Sequence, residues 1–302
     1  MPWNPPPTTC VRRAWLTLAT STMLLEDPSS GYFCSSLDLG YPAVRAVITD
    51  RPDADGADDR TKYFGARTIT AQIDVLAGAG AQIDAVASSF APYMVPSARP
   101  VFHFVLDRPG ATERTVTVRP AGYAWAVVGD NQRAVHLQFV AADPAFSDPA
   151  TQTVVTAWTG GSGGGRVYSL TFPRSYPAGG GAPTSATILS NGDLPVTPLL
   201  TIYGPVTGPD IQFAPTVGPT VHVRFLTSYN VGAGHYVVVD TNAKTALLDG
   251  DPTQNVITAI DWSRTVWPVL PVAPASTVMT ISGSNTTGVS QVQASWRDKY
   301  LT

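Results

Sequence analysis

Between Thr68 and Val75 the chain alternates without a break, and this fixes more about its fold than any other stretch. Ile69, Ala71, Ile73 and Val75 point one way, and Thr68, Thr70, Gln72 and Asp74 point the other. That period of two is the signature of a strand with one face buried and one face wet. It is preceded by the acidic run Asp53-Ala54-Asp55-Gly56-Ala57-Asp58-Asp59, in which Gly56 suits a tight hairpin turn. After Gly78 the rhythm changes. Ile83, Val86, Ala87 and Phe90 fall at helical spacing until Pro92 and Pro96 stop the segment, which predicts one short helix.

Nearly everything else reads as β. Short strands are expected at Ala14 to Thr20, Tyr41 to Thr49, Val101 to Leu106, Glu113 to Val118 and Ala134 to Val140, with Asp143-Pro144 closing that unit. The second half shows almost no helical periodicity. It breaks into strand-like pieces from Thr153 to Trp158, Arg166 to Phe172, Ala186 to Leu189, Leu199 to Tyr203, Val221 to Leu226, His235 to Val239, Ala246 to Leu248, Val278 to Ile281 and Val289 to Trp296. The 26 glycines and 27 prolines are spread between them as turns. Many short strands at such spacing predict a β-sandwich. At 302 residues two domains are the default, divided here into 1-147 and 148-302. The expected class is mostly β: an N-terminal β-rich domain with one α-helix, then a C-terminal sandwich.

Several chemistries are disfavoured. A net charge of -3, without a Lys/Arg cluster, gives no reason to expect nucleic acid as a partner. No run approaches the roughly 18 uninterrupted apolar residues of a membrane-spanning helix. Arg12-Arg13 ahead of Ala14-Trp15-Leu16 imitates an export signal, but Thr17, Thr20, Ser21 and Thr22 interrupt the apolar run and Glu26-Asp27 ends it; a strand is the favoured reading. Cys10 and Cys34 lack metal-ligand spacing; they could pair, though reduced, partly buried thiols are favoured.

The cluster of Asp53, Asp55, Asp58 and Asp59 resembles a calcium loop, yet the position for the bidentate glutamate falls on Phe64, so a solvated hairpin is expected. Gly160 to Gly165 is glycine-rich like a phosphate loop, but Arg166-Val167 follows where Lys-Ser/Thr is required. His103, His136, His222 and His235 form no paired motif, and structural roles are expected for them. There is no Gly-x-Ser-x-Gly elbow, and no pair of carboxylates stands out for glycoside hydrolysis. No catalytic residue, metal site or cofactor is expected, and the chain does not read as an enzyme.

Binding remains. Sugar-binding sandwiches stack sugar rings on exposed aromatic side chains. Of Trp158, Trp262, Trp267 and Trp296, Trp262 between Asp261 and Ser263 is the candidate for a partly exposed ring and hence for carbohydrate binding. The arm Arg60-Thr61-Lys62-Tyr63-Phe64 combines two basic and two aromatic residues of the kind that interfaces favour. Tyr63 and Phe64 either pack within their own domain or meet a neighbouring subunit.

Taken in order, several pieces resemble the distal tail (minor tail) proteins of bacteriophages with long, non-contractile tails. They are Tyr63 to Ile69 leading to Gly78 and the helix; Leu137 to Pro144; Asn191-Gly192 before Pro198 to Gly204; Tyr236 to Thr241 followed by Asp261-Trp262 and Trp267-Pro268; and Val292 to Arg297. The resemblance covers most of the chain. It implies an N-terminal domain that closes into a homo-hexameric ring and a galectin-like or carbohydrate-binding-module-like sandwich displayed outward. It further implies a virion component, assembled in the host cytoplasm, whose partners are the tail tube protein and the tail-tip hub proteins. A host-surface glycan is the alternative partner. The proline-rich opening and long glycine loops depart from that pattern.

Overall fold

The computed structural model describes residues 11–27, 29, 31–45, 48–50, 55, 57–59, 63–76, 84–85, 88–107, 109–158 and 184–301. The expected strand Arg166 to Phe172, both glycine loops, Cys10, and Arg60 and Lys62 lie outside these residues. The chain divides into two compact units, Met1–Pro149 with Leu301–Thr302, and Ala150–Tyr300. Both are built of antiparallel strands.

The first unit contains β1 (Val11–Leu18), β2 (Ser21–Leu24), β3 (Tyr32–Asp38), β4 (Val44–Arg45), β5 (Ile48–Asp50), β6 (Ala57–Asp59), β7 (Tyr63–Phe64), β8 (Arg67–Leu76), β9 (Val101–Leu106), β10 (Glu113–Thr117), β11 (Arg119–Gly129), β12 (Gln132–Ala141) and β13 (Phe146–Ser147). The alternation in β8 does what it predicts: Ile69, Ala71, Ile73 and Val75 are buried and the residues between them face outward. β12 pairs with β8 in a register that places Phe139 level with Ile69, Leu137 with Ala71 and Val135 with Ile73, so the apolar rows are continuous. Each such fully buried side chain contributes about 1.5–3 kcal/mol. This four-stranded sheet runs β11-β12-β8-β3.

A second sheet contains β2, β1, β9, β10 and β13 in that order. Its inner row is Leu16, Phe102 and Val116. Phe102 meets Phe139 of the first sheet at 6.4 Å between ring centroids, and the two sheets enclose one core. Arg67, 1% exposed, is the most deeply buried cation among the described residues. Its guanidinium donates to the carbonyls of Pro144, Leu39, Gly40 and Leu301 and lies 4.0 Å over the Phe146 ring.

The expected strand Tyr41 to Thr49 is instead two pieces with different partners. β4 pairs with β7 and β5 with β6, giving two short antiparallel ribbons on the segment that carries the acidic turn. Of the expected helix, Asp84, Ala85 and Ser88 are α-helical among the described residues, and the Ser89 N–H donates to the Ala85 carbonyl; a 3-10 turn at Ala91–Met94 follows and packs against β11.

The second unit contains β14 (Gln152–Ala157), β15 (Thr184–Leu189), β16 (Leu199–Tyr203), β17 (Val206–Pro215), β18 (Val221–Arg224), β19 (Asn230–Val231), β20 (Tyr236–Asp240), β21 (Thr245–Leu248), β22 (Ser276–Ser284), β23 (Gln291–Trp296) and β24 (Lys299–Tyr300). All but β24 form a five-stranded sheet, β14-β23-β16-β20-β21, and a second sheet, β15-β22-β17-β18, with β19 paired to β17. One core joins them, with Leu200, Ile202, Val237, Val239 and Val292 from the first sheet and Ile211, Phe213, Val223, Met279 and Ile281 from the second. This is a sandwich. Asp298, fully buried, accepts bonds from Ser190 Oγ, the Asn191 N–H and Trp296 Nε1, which secures the last strands to the core.

Candidate functional site

The candidate surfaces are built from exposed side chains. In the first unit, β7 brings Tyr63 and Phe64 opposite Arg45 and Val44. Tyr63 is 67% exposed, and Phe64, 38% exposed, meets the Tyr41 ring edge-on at 6.3 Å. The two aromatics therefore stand outside their own core. Gly65 anchors the base of this ribbon, its N–H donating to the Ala43 carbonyl at 2.7 Å.

A larger apolar surface escaped the sequence reading. β11 is an outer strand of the four-stranded sheet, and from Ala124 to Gly129 every residue is exposed, including Trp125, Val127 and Val128. Trp125 and Val127 lie level with Val135 and Arg133, which are buried, so these exposed side chains continue the inner face beyond the core. The signal was present as an unbroken apolar run, Tyr123 to Val128, but Pro120 and Gly122 hid the strand by interrupting its alternation. The opposite edge of the sheet is β3, where Ser35, Ser36 and Asp38 stand beside Tyr32, Phe33, Cys34 and Leu37. Among the described residues β11 pairs with no strand on its outer side, and β3 is engaged there only at Tyr32, which bridges to Asp27. The outward face between them is uncharged at its centre, where Ser36, Thr70, Gln72, Gly122, His136 and Gln138 line a depression of about 430 Å³.

In the second unit Trp262 is 55% exposed, whereas Trp158 and Trp296 are buried. Trp262 rests edge-on against Trp267 at 5.9 Å, and Trp267 packs on the core. The segment holding it is bonded along the outer edge of β18: Asp261 N–H donates to the Arg224 carbonyl and Val266 N–H to that of His222.

Three histidines pair with carboxylates, His103 with Glu113, His222 with Asp210 and His235 with Asp249. The first pair extends to Thr17, whose Oγ1 lies 2.8 Å from His103 Nε2 while Nδ1 lies 2.7 Å from Glu113 Oε1. This connectivity matches a hydroxyl nucleophile, a base and an orienting acid. Acyl transfer also needs N–H donors aimed at a developing oxyanion. Here Thr17 sits on a strand paired on both sides, opposite Thr22 and Val101, and the ladders engage its neighbours' amides. With His103 stacked on Trp15 at 5.1 Å, the chain of bonds ties β1, β9 and β10 in register. Among the described residues no group of three or more His, Cys, Asp or Glu side chains converges as a metal site, and no helix is long and apolar enough to cross a membrane. Burial, reinforced by Glu26, pushes the Cys34 thiol up to about 11, which makes it a poor nucleophile at neutral pH.

No family model matches the sequence, and no curated protein matches it. Solved structures do. The fold is similar to that of the Dit protein of phage SPP1, described as a paradigm of the hub adsorption apparatus in phages infecting Gram-positive bacteria. The TM-score is 0.61 at 12% identity, over 95% of this chain and 98% of that one. Structures of the phage P2 baseplate in its activated conformation, with calcium and with strontium, each match at a TM-score of 0.46, with 10% and 11% identity. The likeness to SPP1 Dit is one of fold, and it falls on the group of proteins that the sequence pieces resemble.

Proposed function

We propose that the chain is a non-enzymatic structural component of a phage tail tip, closing into a hexameric ring between the tail tube and the tip with its host-recognition proteins. The observation that carries this reading is the four-stranded sheet with two unlike edges, the apolar, unpaired β11 and the more polar β3, unpaired beyond Tyr32. An open edge is a template for another strand. Joining two unlike edges makes a heterologous contact, and such a contact repeated around a closing rotation generates a ring. The ribbon with Tyr63 and Phe64, together with Arg60 and Lys62, supplies a second contact to a neighbouring copy. The fold of SPP1 Dit, a hub protein by its description, supports the same assignment. On this reading the protein is a virion component assembled in the host cytoplasm, and its second unit is a galectin-like sandwich.

Light scattering of the purified chain across concentrations tests this. A sixfold mass is expected, and Val127→Lys with Trp125→Ser should give a folded subunit of single mass. A ring that survives those substitutions would remove β11 from the interface. A subunit that stays monomeric at every concentration would count against self-closure. The second reading is a carbohydrate contact made by the second unit with the host surface, and exposed Trp262 is the observation that favours it.

A further inference from the structure

The outer face of the sheet β14-β23-β16-β20-β21 has a chemistry of its own. Cross-strand register sets its rows. Gln291, Tyr203 and Tyr236 lie level in one, and Gln293, Thr201 and Val238 lie level in the next. We propose that this face is a platform for a neutral oligosaccharide lying across the strands. The proposal rests on the glycan-contact reading and moves that contact away from Trp262.

The two tyrosine rings stand 5.7 Å apart and tilted by 39°, forming one continuous aromatic surface. Tyr236 is already fixed, because its hydroxyl donates to the Asp249 carbonyl at 2.9 Å. A ring held in place before binding loses little entropy when a ligand stacks on it. Beside the rings, the side-chain amides of Gln291 and Gln293 and the hydroxyls of Thr201 and Tyr203 make no hydrogen bond among the described residues, although all four residues are half-buried. Each amide offers both donors and acceptors, which suits the hydroxyls of a sugar. From β14 to β20 the rows span roughly 14 Å at the usual strand spacing, more than one sugar ring.

Charge selects the class of sugar. Neither row carries a charged side chain, and the carboxylates at the margin are spoken for. Asp249 accepts the Tyr236 N–H and faces His235, and Asp240 accepts the amides of Asn242 and Ala243. Hydrogen bonds from the Tyr236 amide and from His235 hold the Asp249 carboxyl below the usual range, so the margin is negative at neutral pH. A polyanion is repelled and a neutral chain is not.

The test uses the full chain, calorimetric titration and four probes: neutral hexasaccharides of glucose, of galactose and of N-acetylglucosamine, and polygalacturonate. At least one neutral probe should bind and polygalacturonate should not. Tyr203→Ala and Gln293→Ala should each weaken binding by about tenfold, and Thr201→Arg, which fills the centre of the face, should abolish it. Thermal unfolding of each variant checks that the sandwich persists. Binding lost in Trp262→Ala and kept in Tyr203→Ala and Gln293→Ala overturns the platform while the glycan-contact reading stands. Equal or tighter binding of polygalacturonate also overturns the platform. Binding of no probe overturns both.

Discussion

At the scale of single residues, the side chains that look most chemical hold structure. His103, with Thr17 and Glu113, has the connectivity of a catalytic triad but sits on a fully paired strand. Arg67 is a cation enclosed by four carbonyls and an aromatic ring; burial lowers the pKa of its guanidinium, yet arginine stays charged. In the second unit Asp249, Asp251 and Asp261 all have carboxyls below the usual range, held there by bonds from Tyr236 and His235, from Thr253, and from Ser263. A depressed folded value means that the stabilisation is fully present above the unfolded value and is lost as pH falls through the folded one. Asp249→Asn should therefore be less stable than the native chain at pH 7, with the difference shrinking below about pH 4. Melting temperatures of the two proteins across pH check this; a constant difference down to pH 2 would contradict it. Sequence alone named the histidines as structural but could not find their carboxylate partners, because each pair joins separate positions across a sheet.

Among elements, legibility followed alternation. β8 and β12 were readable because one face of each is buried along its whole length. β3, β11 and β17 were not. β11 leaves the core halfway and so shows no period, while Gly208 and Pro209 interrupt β17. β3 has only Leu37 fully buried, and backbone geometry holds it instead. Gly31 and Gly40, at its two ends, have φ of 81° and 61°, and a Cβ there would lie 2.1 Å from the Leu76 carbonyl oxygen and 2.0 Å from that of Thr68. Any side chain must force β3 away from β8. Gly40→Ala should cost at least about 1–3 kcal/mol, combining a strained φ with the clash. Chemical denaturation measures it, and a variant within 0.5 kcal/mol of the native chain, about the scatter of an ordinary surface substitution, would mean that β3 is not clamped there. The exposed apolar side chains divide similarly: Tyr63 and Phe64 were visible as a paired aromatic arm, whereas Trp125, Val127 and Val128 were not singled out.

For the molecule as a whole, the chain divides into two compact units, the second with a hydrophobic core of its own. A fragment Ala150–Tyr300 contains both sheets of the sandwich and is large enough to bury a self-sufficient core. It should unfold in one cooperative thermal transition, with the buried Trp158 and Trp296 reporting it by fluorescence; a gradual, featureless melt would show that the unit needs the rest of the chain. The fold is similar to that of SPP1 Dit at 12% identity, and in this chain Gly31 and Gly40 clamp β3. A strand whose position depends on two missing side chains, rather than on the ones it has, is free to change nearly every other residue. Over generations its outward lettering can be rewritten to follow a changing neighbour while the scaffold beneath stays still.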